Sequence, residues 1–415
     1  MANERGVAVL LFTLAFIGAM VQLTQGEGVA LGEGFETVAV ARSLARNGTF
    51  ADPFLAAPTG PTAHLPPLYP FLLAAVMRLL GDGLGFGITI TMLNVVAQAL
   101  NAALLPALSQ RLLGDSRPGV CGAALSILLP TFQVFPAREA VLSATALILF
   151  SLDSALQLEQ TDRTVWRGAR TGLWAGLVIM LNPALIVVMG PWLVYLAWRG
   201  RVAIDRLVRF GSAFALTALL VCLPWTVRNY LQFGKLFLMR NNLGLELYVA
   251  NHDRAKPSFA ESRRAGVLAT LHANTSRKEA FILREMGEAA YNADRLGKAR
   301  DWIRGNPEQF VRLTAARVGQ FWFPLAENFG WYAYSLWIVT ALSFAGFAYL
   351  VWRRAPSALF VAAAWIFYPA VYYMHVSLLF FRYPPLWVSL LCAGTIICVI
   401  FDRIRDIFLA SRRNC

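Results

Sequence analysis

The sequence alternates long apolar runs with short, arginine-rich connections, and that alternation restricts the fold more than any single motif does. Residues 6–24, 84–108, 119–135, 140–158, 171–198, 210–227, 329–352, 355–374 and 386–401 are apolar runs close to or beyond the length a helix needs to cross ~30 Å of hydrocarbon. Charged residues make up 15% of the 415, whereas a soluble domain carries about 25%. The chain therefore reads as an all-α polytopic membrane protein. Its net charge of +13 does not call for a nucleic-acid partner. Arginine concentrated in cytoplasmic loops is how membrane proteins fix their orientation.

Three runs need comment. Residues 7–23 are long for a signal-peptide core, and no clean small-residue cleavage site follows, so an uncleaved anchor is expected. Residues 69–80 are too short to cross comfortably and read as re-entrant or interfacial. Residues 171–198 have arginines at both ends and Pro183 in the middle, which predicts two short helices hinged at Asn182–Pro183. With the N-terminus inside, every short arginine-rich loop then falls on the cytoplasmic side. This gives about ten transmembrane helices and both termini in the cytoplasm. The expected divisions are a transmembrane module over 1–227 with an outer loop at 25–68, a mostly helical outer region over 228–328, and a transmembrane module with a basic tail over 329–415. Within the outer region, which holds every lysine, helices are expected over 279–292, 293–304 and 310–321. The cysteines at 121, 222, 392, 398 and 415 give no CxxC pair and no disulfide framework.

The outer loops carry the chemistry-bearing residues. Glu33, Glu36, Asp52 and His64 lie in the first loop, on either side of an amphipathic helix with Val38, Ala41, Leu44 and Ala45 on one face. Arg138 and Glu139 lie in the second. Arg228, Arg240, Glu246 and His252 lie in the large region, and Arg382 in the last loop. Each has a plainer reading. Arg138 can pair with Glu139, and Glu246 with Arg240; Arg228 can anchor beside Trp225; His64 can be a turn residue, and Asp52 can cap the turn before Pro53. Together the set suits transfer of a group from a phosphate-linked lipid. Arginine grips phosphate through two parallel bonds and stabilises charge on a departing phosphate. A carboxylate takes the proton from an attacking hydroxyl. No GxxxxGK[ST] run, no GxGxxG entering a helix, no HExxH and no Cys/His cluster of zinc spacing is present.

The order of these motifs resembles the GT-C superfamily of integral membrane glycosyltransferases, in the bacterial branch of protein O-mannosyltransferases and lipid A aminoarabinose transferases. The resemblance rests on the acidic Glu33 to Glu36 stretch, Ala41-Arg42-Ser43-Leu44, Gly48, His64 and Pro66-Pro67-Leu68-Tyr69. It continues through Glu139, PWTVRNY at 224–230, RNNLGLELYVAN at 240–251 and RYPP at 382–385. It implies Glu33 or Glu36 as catalytic base, with Glu33 at the first acidic position and Glu36 supporting it. It implies a substrate-binding set of His64, Arg138, Glu139, Arg228, Arg240, Glu246, Arg382 and Tyr383. Arg228 and Arg382 would hold phosphate, and Arg138 with Glu139 would be a supporting or metal-linked pair. The donor would be a polyprenyl-phosphate-linked sugar, and the acceptor a lipid, glycan or protein. A divalent cation is the one cofactor left open. Two departures stand out. The family usually has Asp or Asp-Glu where this chain has Glu33-Gly34-Phe35-Glu36, and often Lys where it has His64. The competing readings are a transporter or flippase of a lipid-linked anion, which would place charge near the bilayer midplane, and an assembly subunit that needs no acidic residues.

Overall fold

The computed structural model describes residues 2–25, 36–131, 139–376 and 378–413. Among these residues the chain is all-helical, with 18 α-helices and one isolated antiparallel bridge, Ala51 to Pro61. The first part holds α1 (Ala2–Gln25), α2 (Glu36–Asn47), α3 (Leu68–Leu80), α4 (Leu84–Leu113), α5 (Arg117–Leu128), α6 (Glu139–Glu159), α7 (Thr164–Leu181), α8 (Ile186–Arg199) and α9 (Ile204–Phe233). A polar region follows, with α10 (Leu243–Ala250), α11 (Phe259–Arg264), α12 (Val267–Leu271), α13 (Arg277–Met286), α14 (Glu288–Gly305) and α15 (Pro307–Trp322). The chain closes with α16 (Ala326–Trp352), α17 (Ser357–Tyr373) and α18 (Leu386–Arg413).

Six helices, α1, α4, α6, α9, α16 and α18, are long and apolar enough to cross a membrane, and four further apolar helices are shorter. The protein is thus a multi-pass membrane protein, with six full-length candidate spans among the described residues against the about ten transmembrane helices expected. Residues 119–135 are where the sequence reading fails most clearly. Helix α5 has 12 residues and stops at Leu128, about 18 Å of rise. Leu129 turns extended at ψ 127 because Pro130 follows and disfavours helix in the residue before it. In α7, Arg167 and Arg170 lower the hydropathy; they pair with Asp162 at 2.8 Å and Asp153 at 2.7 Å. The hinge at Asn182–Pro183 is present. The Asn182 side chain accepts from the Ala184 amide at 3.2 Å, and Pro183 opens the short 3-10 turn that leads into α8.

Helices α7 and α9 pack with their backbones in close approach. Gly168, Gly172 and Gly176 recur at four-residue spacing, and a Cβ on Gly172 would stand 2.3 Å from the Phe214 carbonyl oxygen. Small residues in this pattern let two backbones touch where apolar burial against lipid gives no driving force. The other side of α9 shows Leu216, Leu219, Leu220 and Leu223 outward.

At one end of the bundle the arginine-rich connections are tied together. Arg117 reaches Asp402 at 3.1 Å, Arg111 pairs with Glu159, and Arg206 donates to the Leu158 carbonyl. At the other end the polar region builds a small core of its own from Leu245, Val249, Leu268, Leu283 and Tyr291, joined by Phe54 from the first loop. Its helix boundary differs from the sequence expectation. The break falls at Gly287, which has φ 75, and not after Asn292.

Candidate functional site

The first loop is held in shape from outside itself. Asp52 N donates to the Gly60 carbonyl at 3.0 Å and Thr62 N to that of Phe50 at 3.1 Å. Asp52 Oδ1 accepts from the Thr59 and Gly60 amides at 2.9 and 2.8 Å, closing the loop from its far side and not the turn before Pro53 expected of it. Arg228, near the end of α9, then spans both strands of this turn. Its Nη1 donates to the Thr62 carbonyl at 2.7 Å and its Nη2 to that of Phe50 at 3.0 Å. The guanidinium lies over the Trp225 ring at 4.8 Å. Arg228 therefore braces the first loop while it stacks on Trp225.

Glu288, at the start of α14, holds the next two residues. Its Oε1 accepts from Ala63 N at 2.8 Å, and its Oε2 takes the Thr62 hydroxyl. Burial pushes the Glu288 carboxyl up to about 7, against the Thr62 and Ala63 hydrogen bonds and the charge of Arg228, which lower it.

These contacts deliver His64 to the centre of the site, where it is 4% exposed. Its ring meets Phe54 edge-on at 5.0 Å, and its carbonyl accepts from Arg240 Nε at 3.1 Å. Its Nε2 is 3.8 Å from Glu246 Oε1 on α10. The other Glu246 oxygen is 2.7 Å from His375 Nε2, just beyond α17. His272 also acts on this carboxylate, so three of the chain's four histidines gather around Glu246. Burial opposes ionisation of Glu246, but His375, by charge and hydrogen bond, with His272 and His64, holds its carboxyl well below the usual range. Burial drives the His64 imidazole down to about 3, against the charge of Glu246.

Arg240 is differently placed from the other arginines. Its Nε is used by His64, and no hydrogen bond among the described residues uses its two terminal nitrogens. It lies within electrostatic reach of His64 and Tyr372, as Glu139 does of Tyr372, and the Asn182 side chain stands beside the Tyr372 hydroxyl. The structure thus brings His64, Glu139, Arg240 and Glu246 to one end of the bundle, and Glu246 pairs with His375 instead of Arg240. Glu36 opens α2 and is half-buried. Glu33 and Arg138 lie outside the described residues.

Arg382 and Tyr383 turn inward. Arg382 is 4% exposed and donates to the Trp322 carbonyl at 2.9 Å and the Thr340 hydroxyl at 2.8 Å. Tyr383 donates to Gln98 Oε1 at 3.3 Å inside the bundle. Among the described residues no group of three His, Cys, Asp or Glu is arranged to hold a metal ion. His272, His375 and Glu288 escaped the sequence reading. The scarcity of histidine was the one signal available: with four in the whole chain, their convergence is informative.

No protein-family model and no curated protein matches the sequence. Solved structures do. The chain aligns over 99% of its length with 52% of the archaeal oligosaccharyltransferase AglB from Archaeoglobus fulgidus, at 14% identity and a TM-score of 0.58; that protein was solved with an inhibitory peptide and a dolichol-phosphate. A second structure of the Archaeoglobus fulgidus oligosaccharyltransferase, tethered to an acceptor peptide containing the NVT sequon, aligns over 97% of this chain and 50% of that one, at 14% identity and 0.58. ArnT from Cupriavidus metallidurans, bound to undecaprenyl phosphate, aligns over 94% and 78% at 14% identity with a TM-score of 0.42. The fold defines a polytopic, all-helical membrane protein. More specifically, nearly the whole chain matches the GT-C fold, although it spans about half the length of the oligosaccharyltransferase chains it matches.

Proposed function

We propose that the protein is a membrane glycosyltransferase that moves a sugar from a polyprenyl-phosphate donor to an acceptor at the outer face of a bacterial inner membrane, with both termini in the cytoplasm. The observation that carries this reading is the GT-C fold over nearly the whole chain, shared with an oligosaccharyltransferase solved with dolichol-phosphate. The placing of His64, Glu139, Arg240 and Glu246 at one end of the bundle, and not at the middle of the helices, favours transfer over transport.

In the proposed reaction the acceptor oxygen bonds to the anomeric carbon as the bond from that carbon to the phosphate oxygen breaks. The electron pair leaves with the polyprenyl phosphate, and the acceptor's proton goes to a first-loop glutamate. Glu33 is the base and Glu36 supports it. Arg240, whose terminal nitrogens make no hydrogen bond to a described residue, grips the donor phosphate. Arg228 and Arg382, whose nitrogens hold Thr62, Phe50, Trp322 and Thr340, position the surrounding backbone. His64, Glu139 and Glu246 supply the polar groups at this end that face sugar or acceptor hydroxyls.

The test is sugar transfer in reconstituted membranes, using a panel of undecaprenyl-phosphate sugars. Glu33→Gln is expected to lose about 10²–10⁴-fold in rate with donor binding retained, and Glu36→Gln to lose less. Full transfer by both variants and by the double variant would rule out a first-loop base.

A further inference from the structure

Two cavities lie at the arginine-rich end of the bundle, opposite His64 and Glu246. The larger, about 920 Å³, is enclosed by ends of α1, α4, α5, α6 and α8 and edged by Arg111, Arg199 and Arg206. The second, about 780 Å³, runs between α8 and α9 along Leu193, Ala197, Phe210 and Phe214. They meet at Leu158 and Arg199, which line both. Val194 and Trp198, on the wall of the second, are 69% and 54% exposed, so this groove opens onto the apolar outer surface of the bundle.

The two cavities differ in chemistry as the two ends of a phospholipid do. The groove is apolar apart from Arg199 and Arg201 at its end. The larger cavity carries Arg111, Arg199 and Arg206 against Glu4 and Glu159, and Glu159 is already paired with Arg111. Arg199 spends Nη1 on the Arg111 and Leu112 carbonyls. Arg206 spends Nη2 on those of Leu158 and Gln160, and its Nε is buried without a partner. No hydrogen bond among the described residues uses Arg199 Nη2 or Arg206 Nη1. The pair is fixed in place by backbone contacts and keeps donors for an anion. Both volumes are in the range of small-molecule sites, about 300–1,000 Å³.

We infer that these joined cavities bind an anionic glycerophospholipid, with its phosphate at Arg199 and Arg206 and one acyl chain along the α8–α9 groove. The positive-inside rule puts this end at the cytoplasmic leaflet. The site is separate from the proposed donor site and does not depend on the transfer reading. A free phosphate could satisfy the arginines, but it leaves the apolar groove without an occupant.

The experiment reconstitutes the full chain in equal phosphatidylglycerol and phosphatidylcholine, extracts it in mild detergent, and counts retained lipids by native mass spectrometry. Wild type is expected to retain phosphatidylglycerol over phosphatidylcholine. The Arg199→Gln/Arg206→Gln double variant should lower that retention about tenfold or more. Because those arginines also brace backbone carbonyls, Ala197→Trp is the second variant; it fills the groove with the arginines intact and should lose phosphatidylglycerol as well. Equal retention of the two lipids by wild type would overturn the inference. So would undiminished phosphatidylglycerol on Ala197→Trp. Displacement of the lipid from wild type by excess inorganic phosphate, with phosphate still bound by Ala197→Trp, would reduce the site to an ion site and overturn it too.

Discussion

His375 Nε2 lies 2.7 Å from Glu246 Oε2, across 129 residues of sequence, while its Nδ1 lies 2.8 Å from the Val376 carbonyl. The imidazole thus bridges a backbone carbonyl and a buried carboxylate at the edge of the candidate site, and its hydrogen bond and charge help to hold the Glu246 carboxyl below the usual range, against burial.

Removing one partner of this pair leaves the other poorly compensated. His375→Gln is expected to cost about 1.5–3 kcal/mol, read from the thermal unfolding of purified protein. Adding Glu246→Gln should recover part of that loss. Losses that simply add in the double variant would mean the two residues are not coupled.

Glu288 sets a pH dependence with a definite sign. Its carboxyl is raised from the ordinary 4.5 to about 7, so its contribution to stability is fully present below pH 4.5 and fades as pH rises through about 7. The shift corresponds to about 3 kcal/mol. Melting temperature should fall across that window in the wild type. Glu288→Gln, which keeps an acceptor and cannot ionise, should flatten the profile; identical profiles would remove Glu288 as the cause.

Arg240 and Arg228 are expected to separate by assay. Arg240→Lys keeps charge and loses the planar fork, so affinity for undecaprenyl phosphate should drop roughly ten- to a hundredfold. Arg228→Lys loses its double hold on the Phe50 and Thr62 carbonyls and should chiefly make the first loop easier to cleave by protease. Unchanged affinity in Arg240→Lys would take Arg240 out of phosphate recognition.

Helix α7 cannot accept bulk where it meets α9. Gly172→Val puts carbon against the Phe214 carbonyl and should destabilise by about 1–3 kcal/mol. Gly190→Ala, in α8 with nothing within 4 Å of the added carbon, should be neutral or stabilising by up to about 1 kcal/mol. Equal melting temperatures for the two variants would contradict the close approach.

Orientation is open to direct labelling. In a variant without the native cysteines, cysteine at position 160 or 355 should resist a membrane-impermeant thiol reagent in intact cells, and one at 270 should react. Labelling at 160 from outside would invert the proposed topology.

What the residues announced in advance has a local cause. Asn182–Pro183 marks a hinge because proline lacks an amide hydrogen and asparagine can cap the turn it opens. Pro130 marks the end of α5 just as plainly, inside the mostly apolar run at 119–135. The candidate site was legible only in part because its bonds are long-range and run to backbone. That Arg228 would hold the carbonyls of Phe50 and Thr62, or Glu288 the amide of Ala63, has no signature in spacing or composition. Likewise, Arg382 advertises a charge at a span's end, and nothing near it in sequence says that Thr340 and Trp322 take up its donors.

The hold of Glu288 on Ala63 also has a meaning in time. A ribosome makes the first loop early, and its acidic anchor comes 225 residues later; His375, which completes the cluster around Glu246, comes later still. Through most of synthesis the Thr62 hydroxyl and Ala63 amide wait for the acid that will fix them. This end of the protein is therefore completed only after α1 to α9 have been made, and a chain cut short before α14 would leave the ribosome with its bundle begun and its first loop unfastened.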